Sequence, residues 1–135
     1  LYIPYFNWHE WDICRQINEK LGISATIDND ANAIAVAELW FGREKIRRIS
    51  NFITVLVSQG IGTGIVFEGQ VYRGEKGAAG EFGHMMLGID SPIRCSCGSY
   101  SCWESHASEG ATIAHYLRNT GAKTANSEIS LPMII

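Results

Sequence analysis

The sequence has no apolar run approaching the roughly 20 residues that a membrane-spanning helix needs. That excludes a bilayer-crossing helix within these residues and predicts no membrane partner. It shows no leader pattern of positive, apolar and small residues, which reads against secretion. It has no excess of positive charge: 11 Lys and Arg face 14 Asp and Glu, for a net charge of −3. A mildly acidic segment does not present the basic footprint that holds nucleic acid. No internal repeat and no low-complexity segment is present. Cysteine is scarce at four residues, and its use fits a reducing compartment with a metal site. The expected location is therefore cytoplasmic. The chain begins with Leu1 rather than Met and stops in the apolar segment Leu131 to Ile135, which predicts a piece of something longer.

Three of the four cysteines lie together. His84 is followed, after ten residues, by Cys95-Ser96-Cys97-Gly98-Ser99-Tyr100-Ser101-Cys102. Three thiols and one imidazole form a Cys3His set, which suits the tetrahedral sulfur and nitrogen coordination of Zn²⁺. A tight Cys-x-Cys cannot easily close local disulfides without strain. The cysteines also sit among glycine and polar residues, not inside an apolar strand. Four protein ligands close such a site, so the metal is expected to be structural. Cys14 lies in a helical pattern and reads as a core thiol.

The order of elements predicts an α/β segment. Trp11, Ile13, Cys14, Ile17 and Leu21 recur at helical spacing between Trp8 and Leu21, and Gly22 is a stop signal. Ile23 to Ile27 reads as a short strand. Asp28-Asn29-Asp30 offers cap chemistry to an alanine-rich helix from Ala31 to Phe41, which ends at Gly42. Lys45, Arg47 and Arg48 read as a solvated connection. Phe52 to Val57 is a near-continuous apolar run, the pattern of a strand buried on both faces. Ile61 to Phe67 is a second strand, and Glu68-Gly69 turns into a third over Gln70 to Tyr72. A glycine-rich loop covers Gly74 to Gly83, and Cys102 to Leu117 reads as one helix. A boundary is expected near Arg48 to Asn51, where a strand–helix unit gives way to a sheet that starts as a hairpin.

Three further groups carry candidate chemistry. Gln59-Gly60-Ile61-Gly62-Thr63-Gly64 lies between two strands, where alternating glycines let backbone N–H groups approach a phosphate or a hydroxyl-rich ligand. Alone it is weak, because a glycine-rich hairpin is often only a hairpin. It is not a Walker loop, since no Gly-Lys-Ser/Thr follows, nor a dinucleotide fingerprint, since a strand follows where a helix is required. Asp28-Asn29-Asp30-Ala31-Asn32-Ala33 puts carboxylates and amides at a strand-to-helix junction. Such an aspartate is a helix cap or a general base toward a hydroxyl. Glu81 and Glu104 flank the metal ligands in sequence, so the metal loop can turn both carboxylates, with His84, toward one cleft. Carboxylates beside an imidazole suit vicinal sugar hydroxyls; the alternative is solvated surface acid.

Together these residues resemble the ROK family, which groups bacterial sugar kinases with sugar-responsive repressors. The resemblance runs from about Leu21 to Ser108. It rests on Asp28 to Ala33, Gly60 to Gly64, Gly69-Gln70-Val71-Tyr72-Arg73-Gly74, Gly77-Ala78-Ala79-Gly80-Glu81-Phe82-Gly83-His84, and Cys95-Ser96-Cys97-Gly98 to Cys102-Trp103-Glu104. Two positions depart from the family pattern. Ser101 stands where glycine is usual before the third Cys, and the acidic residue often found before Asn29-Asp30 is Asp28 here, a mild change.

The resemblance implies an actin/hexokinase-like (ribonuclease H-like) α/β fold of two lobes. Residues 1–49 would end the first, smaller lobe, and residues 50–135 would begin the second with its structural zinc loop. It implies metal ligation by His84, Cys95, Cys97 and Cys102, and sugar contacts from Asn29, Asp30, Glu81, His84 and Glu104. His84 would turn one ring nitrogen to zinc and the other to sugar. The implied function is sugar sensing in a repressor of the xylose and N-acetylglucosamine type. DNA would be held through an N-terminal domain absent from this chain. The alternative is an ATP-dependent sugar kinase of the glucokinase or N-acetylhexosamine kinase type. There Asp30 is the catalytic base, and Gly60, Gly62, Thr63 and Gly64 face ATP with Mg²⁺. These residues alone, without a first phosphate loop, are expected to be inactive as a kinase. Homo-oligomers are implied for the full-length protein.

Overall fold

The computed structural model describes residues 12–121, with side chains at all of them except 46 and 47. The first helix, α1, spans Ile13–Leu21. Asp12 caps it by accepting from the Arg15 N–H, and Gly22 ends it in the left-handed region at φ 65°. The predicted start at Trp8 lies outside the described residues. No residue of α1 is buried, and Cys14 is half-buried rather than a core thiol.

Ile23 to Ile27 is not a strand among the described residues. Its backbone joins no ladder with them, and the three-stranded sheet they form is made without it. Apolar β-branched composition alone does not supply the partner that a strand requires. Helix α2, Asp30–Phe41, follows; α3, Glu44–Arg47, is a single turn. Arg48 pairs with Glu44 on the exposed side of this link.

The sheet is an antiparallel meander of β1 (Phe52–Val57), β2 (Ile61–Phe67) and β3 (Gln70–Val71). Phe52 pairs with Val66, Thr54 with Gly64 and Leu56 with Gly62. This register puts Thr54, Leu56, Gly62 and Gly64 on one face, and α2 packs there. Glu68 and Gly69 both take positive φ, 51° and 75°, which is the turn whose twist matches a two-residue hairpin. The turn is braced where Asn51 Oδ1 accepts from the Glu68 N–H at 2.8 Å.

The core is small-residue packing between α2 and β2. Ala31 and Ala35 have no exposed surface, and Val66 is 2% exposed. Strand β1 is half-buried on one face and exposed on the other, not buried on both as its composition predicts. Ile53, Val55 and Val57 are each about half exposed, because α2 covers only the opposite side of the sheet. The helix expected over Cys102 to Leu117 is two: α4, Trp103–Ala107, and α5, Glu109–Thr120. Ser108 breaks the run in an extended conformation, φ −71° and ψ 166°, and its side chain caps α5 at the Ala111 N–H. The Glu109 N–H, freed by the break, donates to Ser58 O at 2.8 Å and ties α5 to the β1–β2 turn. No helix among the described residues is long and apolar enough to cross a membrane.

Candidate functional site

A cleft of about 200 Å³ opens where the start of α2, the β1–β2 turn, the glycine-rich loop and α4 meet. Asn29, Asp30, Gly60, Gly62, Glu81, His84 and Glu104 line it, with Leu56, Ser58 and Ile61. Five of these came from three separate stretches of sequence as candidate sugar contacts, and the fold brings all five to one place.

Each is positioned by a local reason. Asn29 is the N-cap of α2: its Oδ1 accepts from the Ala31 N–H at 2.9 Å and the Asn32 N–H at 3.2 Å. Its amide nitrogen is therefore the group left for a ligand. Asp30 is the first helical residue. Its Oδ1 accepts from the Ala31 N–H at 2.8 Å, and the helix N-terminus favours its negative charge.

Glu81 and His84 sit on the loop that covers the open edge of β2. Gly80 and Gly83 press against the carbonyls of Thr63 and Ile61 so closely that a Cβ at either would overlap the strand backbone. That approach holds the short 3₁₀ turn Phe82–His84 beside the strand. Glu104, the second residue of α4, accepts from the Ile61 N–H at 3.1 Å through Oε2, and its Oε1 takes the Cys95 thiol at 3.5 Å. A Cβ at Gly60 would lie 2.5 Å from Glu104 Oε2, so the glycine makes room for that carboxylate.

The glycine motif splits. Gly60 and Gly62 reach the cleft, whereas Thr63 and Gly64 do not. The Thr63 hydroxyl donates to Gly80 O and fastens the covering loop. Gly64 is buried beneath α2. The expectation that all of Asp28 to Asp30 points at a ligand also divides. Asp28 turns away to Arg73, whose guanidinium holds its carboxyl below the ordinary carboxylate range. Sequence reasoning singled out neither Arg73 as its partner nor Ser58 as a lining residue. No local spacing signals a contact between residues so far apart.

Behind the cleft, the donor atoms of His84, Cys95, Cys97 and Cys102 all lie within 4.8 Å of one another. His84 Nδ1 is 3.2 Å from Cys95 Sγ, and the Cys97 and Cys102 sulfurs are 3.4 Å apart and unbonded. Ligands of a tetrahedral Zn²⁺ sit about 3.3–3.8 Å apart, so the most separated donors need to close by about 1–1.5 Å. The cluster can hold a metal ion. Burial pushes the Cys95 thiol up to about 12, and the Ser99 backbone N–H draws the exposed Cys97 thiol down. With Nδ1 toward the cysteines, His84 Nε2 faces the cleft, 3.8 Å from Glu81 Oε2.

The metal loop is stitched by backbone bonds from Leu87 to Ser101 O (2.8 Å), Ser91 to Tyr100 O (2.7 Å) and Trp103 to Met85 O (2.8 Å). Ser101 fits without strain. It is 6% exposed, has no positive φ, and its hydroxyl accepts from the Gly88 N–H at 2.9 Å.

An α/β unit with a polar, carboxylate-lined cleft backed by a Cys3His cluster defines the class, and comparison with known proteins agrees. The ROK family model matches residues 1–132, and the chain belongs to this family. It is 41% identical to the xylose repressor of Bacillus subtilis (strain 168) over 113 residues, which is 84% of this chain and 29% of the repressor. The chain thus spans less than a third of that relative. Among solved structures, a ROK family transcriptional regulator, described as a homolog of the E. coli MLC protein, superposes with TM-score 0.78. The identity is 29%, over 97% of this chain and 34% of the regulator. A ROK family glucokinase from Streptomyces griseus, in complex with glucose and AMPPNP, gives TM-score 0.72 and 31% identity over 87% of this chain and 36% of the enzyme. The fold is the actin/hexokinase type that the motifs imply.

Proposed function

We propose that this chain forms the sugar-sensing cleft of a transcriptional repressor, with a pentose or hexose as ligand. The observation that carries the reading is the convergence of Asn29, Asp30, Glu81, His84 and Glu104 on one cleft. They supply one amide donor, three carboxylates and one imidazole, a set that pairs with neighbouring hydroxyls that both donate and accept. The 41% identity to a xylose repressor favours sensing over turnover. Zn²⁺ held by His84, Cys95, Cys97 and Cys102 supplies no reaction. It fixes the His84 ring so that Nε2 meets the sugar. DNA is bound by another part of the full-length protein, which is a cytoplasmic homo-oligomer. The junction of the two lobes falls at residues 49–50, and α2 packs across it onto the second lobe.

The second reading, an ATP-dependent sugar kinase, is supported by the glucokinase likeness and by Asp30 at the cleft. Asp30 would take the proton from the attacking sugar hydroxyl. Gly60 and Gly62, the two residues of the glycine motif that reach the cleft, would lie toward ATP with Mg²⁺. The test is to assay the full-length protein for ATP consumption against D-xylose, D-glucose and N-acetylmannosamine, and for sugar-dependent release of its own upstream DNA. Release without turnover supports the sensor. Turnover that Asp30→Asn abolishes while sugar binding persists makes it the kinase.

A further inference from the structure

Asp28 and Arg73 form a tie that the cleft itself does not need for ligand contact. Arg73 Nε donates to Asp28 Oδ2 at 3.0 Å and to Oδ1 at 3.3 Å, and its Nη2 donates to Oδ2 as well. Arg73 Nη1 also donates to Val71 O at 3.3 Å, so the guanidinium is fixed to the end of β3. On the other side, Asp28 Oδ1 accepts from the Asn29 N–H at 3.0 Å and from Asn32 Nδ2 at 3.3 Å. Asn32 is 3% exposed, and its Oδ1 has no partner among the described residues. Among the described residues, the bond to Asp28 is thus the only polar contact of this buried amide side chain.

Residues 22–29 reach the cleft without joining the sheet. Ala31 against Gly62, Ala35 against Gly64 and the Thr54 hydroxyl on Ala31 O seat α2 on the sheet, but none of these contacts involves Asp28 or Asn29 ahead of the helix. The forked guanidinium supplies direction, because two nitrogens gripping one carboxylate fix both its position and its plane. We propose that Arg73 is a positioning residue of this site. Acting through Asp28, it aims the segment that carries Asn29 and Asp30 at the ligand. The inference rests on the sugar-binding reading above. A lysine at 73 would keep the charge and lose the fork.

The test uses the full-length protein with Arg73→Gln and Arg73→Lys. Two measurements are made: calorimetric affinity for D-xylose and D-glucose, and hydrogen exchange of the backbone amides without sugar. Arg73→Gln should weaken binding of whichever sugar the wild type takes by about tenfold, the scale of one lost ligand hydrogen bond. Arg73→Lys should recover only part of that loss. Amides of Ala31, Asn32 and Ala33 should exchange several-fold faster, with those of β1 and β2 and the bound metal unchanged. Unchanged affinity in Arg73→Gln overturns the proposal, even if exchange quickens, because Arg73 would then be structural only. If the wild type binds neither sugar, the sugar-binding reading fails for these ligands and the aiming role, which rests on it, falls with it. Unchanged exchange of Ala31, Asn32 and Ala33 in Arg73→Gln overturns the proposal as well.

Discussion

Gly64→Ala separates two reasons for a glycine at that position. If the glycine serves packing, an added methyl group strikes the underside of α2. The new Cβ would overlap the Ala31 carbonyl oxygen and lie 2.7 Å from Thr54 Oγ1 and 2.9 Å from Ala35 Cβ. None of these can yield alone. Ala31 and Ala35 are fully buried, and the Thr54 hydroxyl shares its one proton between Ala31 O and Gly64 O, each at 3.3 Å. The helix must lift off the sheet, which belongs at the upper end of the overpacking range, about 3 kcal/mol. Replacing glycine in a strand returns about 0.5–1 kcal/mol of chain entropy, so the net loss is about 2 kcal/mol. At Gly62 the same methyl group meets Ala31 Cβ at 3.0 Å, and Asp30 and Leu56 only at ordinary contact distance. There the overpacking is about 1 kcal/mol and nearly cancels the gain. Urea unfolding of full-length Gly62→Ala and Gly64→Ala measures both. A Gly64→Ala variant within about 0.5 kcal/mol of wild type would refute the packing argument. Gly62→Ala, left nearly native in stability, then reports any role of that glycine toward a ligand.

Cys97→Ala should lose the metal and loosen the loop from Gly83 to Glu104, because three donors no longer close the site. Stoichiometric zinc retained by the variant, read by elemental analysis, would count against the ligand set. The Asp28–Arg73 pair gives a pH signature. The folded-state pKa of Asp28 lies below its ordinary 3.8, so the pair's contribution is full above that value and fades as pH falls through the lower, folded value. The stability gap between wild type and Arg73→Gln should therefore be constant from neutral pH down to about pH 5 and shrink below 3.8. It should stay under about 1 kcal/mol, since both side chains are partly solvated. A gap that widens in acid, by thermal unfolding at stepped pH, contradicts this assignment.

What the sequence determined by itself is mostly local. The Cys95-x-Cys97 pair with Cys102 and the upstream His84 is a donor set before any fold is known, because spacing and side-chain chemistry suffice. The Glu68-Gly69 turn, and the Gly22 stop of α1, likewise follow from short-range backbone preference. The family motifs added the expectation of one shared cleft. Tertiary structure decided the rest. Whether Ile23 to Ile27 is a strand depends on a partner, and none lies beside it among the described residues. Whether β1 is buried once or twice depends on what covers it, and α2 covers one face. The break at Ser108 is fixed by the Glu109 N–H reaching Ser58, a contact invisible to helical periodicity. The glycines of Gly60 to Gly64 were read as one ligand motif, yet strand alternation and the approach of α2 divide them. Gly60 makes room for Glu104, Gly62 borders the cleft, and Gly64 lies under the helix. Asp28 belongs to Arg73 rather than to the cleft for the same reason: burial and pairing are properties of surfaces brought together, and a sequence lists only the surfaces.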